Sequence, residues 1–156
     1  MNAFYRVIER MTKEIESLTL EQLDEAVAVE VMGWKKHDRF WDAPDCEFED
    51  IYMTLTGEQF GVVSRTLWNP SEDWRDAGII FETTANRMIY RFPVCPNLIY
   101  HHTDHQWHCE FFSGDWMRNA VGPTAEIAIC RASLLAVRTA DLDKMKMWII
   151  EEANKD

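Results

Sequence analysis

The chain has 156 residues, 47% of them hydrophobic and 28% charged, the composition of one folded domain rather than of a disordered segment. Its formal charge of −11 repels phosphate, which excludes nucleic acid and acidic membranes as expected partners. A domain of this size buries roughly 70% of its unfolded surface, so it needs neither a disulfide nor a metal to fold.

Helical periodicity opens the chain. Phe4, Ile8, Met11 and Ile15 fall on one face among charged neighbours, which predicts a helix over 4–17. Thr19 and Gln22 form a capping-box pattern for a second helix over 20–32, and Gly33 stops it. Between Trp34 and Trp41, aromatic stretches flank a polar turn, which predicts a short hairpin ended by Pro44. Asp42 to Asp50 is acidic enough for a solvated loop, and short strands are expected at 51–55 and 60–63. Asn69-Pro70-Ser71-Glu72-Asp73 is a helix start, so a third helix is placed over 70–87. Strands are expected at 89–94, 98–102 and 107–112, the last two joined through Thr103–Gln106. Gly122-Pro123-Thr124 introduces a helix over 124–138, and Asp141 caps a final one over 142–153. The fold class is therefore α+β, a mainly antiparallel sheet sandwiched by helices in a single domain.

No apolar run approaches the ~18 residues of a membrane span, and the first eleven residues lack an apolar leader. The four cysteines, Cys46, Cys95, Cys109 and Cys130, have no paired metal-type spacing. Reduced thiols in a cytoplasm are the expectation.

Three segments carry a resemblance. Leu23 to Trp34, with its Val31-Met32-Gly33-Trp34 ending, Asn69 to Trp74, and Ala125 to Leu135, with Ala128-Ile129-Cys130-Arg131-Ala132, resemble the phage ABA sandwich domain family. The resemblance implies a small sandwich of helices around a sheet, encoded by phages and prophages, and hence a host-cell cytoplasm. It implies no cofactor and no catalytic residues, because no activity is common to the family. Residues 46–67 and the tail after Asp141 read as additions to it.

Chemistry-bearing groups concentrate at one place. His101, His102, His105, His108 and Cys109 lie close together, four of the chain's five histidines among them. Imidazole and thiolate ligate zinc-class metals. Neighbours on a strand point to opposite faces, so two or three of these groups at most can meet, and a polar sheet face is preferred to a native metal site. His101, Trp107, His108 and Arg91 are the candidate ligand-binding residues, since aromatic faces stack on purines and cationic groups take phosphate. No Gly-x-Ser-x-Gly or phosphate-binding glycine loop is present, and no catalytic residue is assigned. The preferred function is a non-enzymatic accessory protein that binds a host or phage protein. A binder of a nucleotide-like small molecule and a metal-dependent hydrolase are the alternatives. The apolar stripes of the two terminal helices also suggest a homo-dimer.

Overall fold

The computed structural model describes residues 3–43, 62–86, 94–114, 116–140 and 142. Helix α1 spans Ala3–Glu16 and α2 spans Leu20–Ala26. Thr19 caps α2 as expected: its hydroxyl accepts from Gln22 N–H, and the Gln22 side chain accepts from Thr19 N–H. The helix then widens into a π turn, Val27–Val31, with Met32 N–H bonded to Val27 O. Gly33 ends it at φ +71°, the left-handed region where a Cβ would be strained.

The expected hairpin follows. Strand β1 (Lys35–Lys36) pairs antiparallel with β2 (Phe40–Asp42), and β2 pairs with β3 (Val62–Ser64). The strand expected at 51–55, and all of 60–63 before Val62, lie outside the described residues. Helix α3 is Trp74–Ala85, shorter at its start than the 70–87 expected from sequence. The cause is local. Asp73 turns its carboxylate back to accept from Arg75 and Asp76 N–H, so it is the N-cap, and Asn69–Glu72 forms a separate turn before it.

A second antiparallel sheet holds β4 (Cys95–His101), β5 (Gln106–Ser113) and β6 (Trp116–Gly122) in that order. Residues 102–105 make the β4–β5 turn, with His105 at φ +55°. Of the strand expected at 89–94, only Val94 is described. Strand β6 was not foreseen. Its residues alternate between faces, but one inward position is Arg118, which hides the apolar signal. Arg118 is buried because its Nε donates to Thr139 Oγ1 and its guanidinium lies over the rings of Phe4 and Trp116.

Helix α4 (Ala125–Arg138) is the centre of the molecule: ten of its fourteen residues are buried. It packs against β4, β5 and β6 and also against α1, α2, α3 and the π turn. A helix with neighbours all round must be apolar all round, so burial extends well beyond the Ile127, Cys130, Leu134 and Val137 stripe. Its alanines permit close approach, and Cys109 and Phe111 meet it from β5. The helix expected at 142–153 lies outside the described residues apart from Leu142. The fold is α+β with antiparallel pairing throughout the described strands, as expected.

Candidate functional site

A groove of about 810 Å³ opens between α2, the β2–β3 pair and the Asn69–Glu72 turn. Capping and chain reversal create it. The α2 capping box fixes where Leu20, Glu21, Asp24 and Glu25 stand. Asp24 then anchors the opposite wall, 47 residues along the chain: its carboxylate accepts from Ser71 N–H at 2.8 Å and Ser71 Oγ–H at 3.0 Å. Trp68 Nε1 donates to Asp24 O, and Trp34 packs against Trp68 with ring centroids 4.5 Å apart.

Five carboxylates line the groove (Glu21, Asp24, Glu25, Asp38 and Glu72) against two guanidinium groups, Arg39 and Arg65. Lys36 pairs with Glu25 at 2.9 Å. The Arg65 Nη1 donates to the carbonyls of His37 and Asp38, and its guanidinium carbon sits 5.9 Å from the Trp41 ring centroid. Trp41 and Trp68 supply the aromatic part of the lining. Burial pushes the Asp24 carboxyl up from 3.8 to about 6; the Ser71 donors oppose this, and the negative Glu72 and Asp76 assist it. The groove thus gathers carboxylates above the buried rings of Trp41 and Trp68, and the negative charge suits a cationic group.

The sequence-derived candidates lie elsewhere. Strand register pairs Ile99 with His108 and His101 with Gln106. His101 and His108 are therefore diagonal neighbours on one face, and their rings stack with centroids 3.7 Å apart. Asp104, in the turn, bonds His108 Nε2 through Oδ2 at 2.9 Å, and this bond holds its carboxyl below the usual carboxylate range. Trp107 stands opposite Tyr100 on the other face, packed on the core with ring centroids 5.4 Å apart. Arg91 lies outside the described residues. Cys109 is fully buried on the face away from His108, and burial pushes its thiol up to about 12. The hairpin therefore brings His101 and His108 together and separates both from Trp107.

Sequence reasoning missed the groove because its walls come from three distant segments. The one local signal was the density of acidic residues between Thr19 and Glu25, which helix capping already explained.

The sequence profile of the Phage ABA sandwich domain matches residues 25–134, well over half of the chain. The chain belongs to the phage ABA sandwich domain family. The matched span runs across residues 46–67, which the sequence reading had set apart from the family, and leaves α1 and the tail outside. A phage protein from Bacillus cereus ATCC 14579, known from a 2.0 Å crystal structure, has a similar fold. Its TM-score is 0.50 at 14% identity, over 78% of this chain and 94% of that one. No curated protein matches the sequence. Among the described residues, no helix of this ABA sandwich protein is long and apolar enough to cross a membrane.

Proposed function

We propose that this phage protein is a non-enzymatic accessory protein that binds a host or phage protein, and that the partner places a basic segment in the groove beside α2. The observation that carries this reading is the gathering of five carboxylates around Trp41 and Trp68. A lysine or arginine side chain entering there meets opposite charge at the rim. The Trp41 face is already taken within the chain by Arg65, so the carboxylates at the rim are what a partner's cation would meet. The overall charge of −11 would also speed the approach of a basic partner.

The nucleotide-binding alternative has less support. The groove repels phosphate, and the imidazoles and Trp107 occupy opposite faces of the hairpin.

Fluorescence anisotropy with labelled lysine- and arginine-rich peptides tests the proposal. Binding should be saturable, weaken with added salt, and fall by about tenfold in a Glu21→Gln/Glu72→Gln double variant. Equal affinity for an acidic peptide of the same length, or no effect of the double substitution, would overturn it.

A further inference from the structure

We propose that the tip of the β4–β5 hairpin binds a divalent transition-metal ion through His101, Asp104 and His108. One donor atom from each of these side chains lies within 4.8 Å of the others. Ligands sharing one zinc-class ion, with bonds of about 2.0–2.2 Å, stand roughly 3–3.5 Å apart. The three donors thus approach coordination distance with the backbone as it is.

Hairpin geometry produces this convergence. The diagonal register puts the two imidazoles on the same face of the sheet. The four-residue turn, with His105 in the left-handed region, brings Asp104 back over the end of the strands. Gln106 N–H donates to Asp104 Oδ1 at 3.1 Å and fixes the carboxylate, while Oδ2 bonds His108.

One adjustment is required. The rings lie 16° from parallel, and an ion bound to both must sit near both ring planes. One ring therefore turns about its Cβ–Cγ bond, a torsion with broad minima. The ion takes the place of the hydrogen bond between His108 Nε2 and Asp104 Oδ2, and His108 then binds as neutral imidazole with its proton on Nδ1. Two imidazoles and one carboxylate favour zinc, cobalt, nickel or copper over magnesium or calcium and leave positions for water. None of the three residues lines the acidic groove, so this site stands independently of the protein-binding proposal.

Untagged, metal-stripped protein titrated with Zn²⁺ and Co²⁺ by calorimetry provides the test, with histidine ring resonances followed by NMR. One ion per chain is expected, with the His101 and His108 signals shifting and the His37 signal unmoved. His101→Ala and His108→Ala should each weaken binding by more than about a hundredfold, beyond the effect of losing an outer-shell partner. His102→Ala and His105→Ala, in the same turn, should retain wild-type affinity. Circular dichroism of each variant checks that the fold is kept. Absence of saturable uptake of both ions would overturn the site. So would binding that survives loss of His101 and His108, or that requires His102 or His105 instead.

Discussion

At Asp24, burial and hydrogen bonding pull the carboxyl in opposite directions, and burial prevails, to about 6. The unfolded chain keeps the ordinary value near 3.8, so between these values the native state binds more protons than the unfolded one. The contribution of this group to stability is therefore fully present below about pH 4 and lost as the pH rises through 6. After discounting for solvent at a half-exposed site, the loss is about 1–2 kcal/mol. Urea unfolding at intervals across that window should show it in the wild type, and Asp24→Asn should remove that component of the slope. An unchanged slope in the variant would refute the assignment. The thiols give a second prediction at this scale. Cys109 and Cys130 are buried, and burial raises both, whereas Cys95 is exposed. In a Cys46→Ser variant, a thiol reagent should modify Cys95 quickly and reach the other two only after denaturant is added. Fast modification of all three would contradict the buried placement of β5 and α4.

Between elements, β6 gives way to α4 at Gly122 in close contact. A Cβ there would lie 2.8 Å from Ala128 N and 3.0 Å from Ile127 Cγ2. Backbone cannot move aside as a side-chain tip can, so Gly122→Ala should cost about 1–3 kcal/mol, read as a lower midpoint in chemical denaturation. Wild-type stability in that variant would show that the strand and helix are not so closely set. The π turn is tied to the other end of α4 by Arg138, whose Nε and Nη2 each donate to one oxygen of Glu30 at 2.9 Å. This two-point fork spans 108 residues of sequence. A double-mutant cycle of Glu30→Gln with Arg138→Gln should give a coupling of about 1 kcal/mol, and no coupling would reduce the pair to a surface contact. The helix starts at Thr19 and Thr124 were legible in sequence, because a cap and its partner lie three residues apart, as Thr19 and Gln22 do, whereas α3 begins four residues later than expected. Strand β6 was not legible, because an inward arginine becomes acceptable only once Thr139, Phe4 and Trp116 are assembled around it.

For the molecule as a whole, α1 bears on self-association. Its Ile15 is buried and its Met11 packs against the core, with α4 as its neighbour. Phe4 and Ile8 of the same stripe are only partly buried, and the second stripe, Leu142, Met145, Trp148 and Ile149, lies outside the described residues apart from Leu142. Light scattering tests the homo-dimer suggested by the two terminal stripes, and twice the chain mass of 18.4 kDa is the expected outcome. A monomer of the single-chain mass, unchanged by salt, would overturn it.

Taken alone, the sequence determined the helix starts near Thr19 and Thr124, the glycine stop at Gly33, both hairpins, the α+β class and the family resemblance. These rest on interactions within a few residues, where spacing is itself geometry. It also limited the hairpin histidines to two or three on one face, because strand alternation requires that. Only the tertiary structure decided which histidines meet, since the register of β4 on β5 selects His101 with His108 and turns Trp107 inward. It alone built the acidic groove, because Asp24 and Ser71 become neighbours only when α2 and the turn before α3 pack together. Burial and mutual repulsion, which raise the Asp24 carboxyl, are properties of that packing and have no counterpart in the order of the residues.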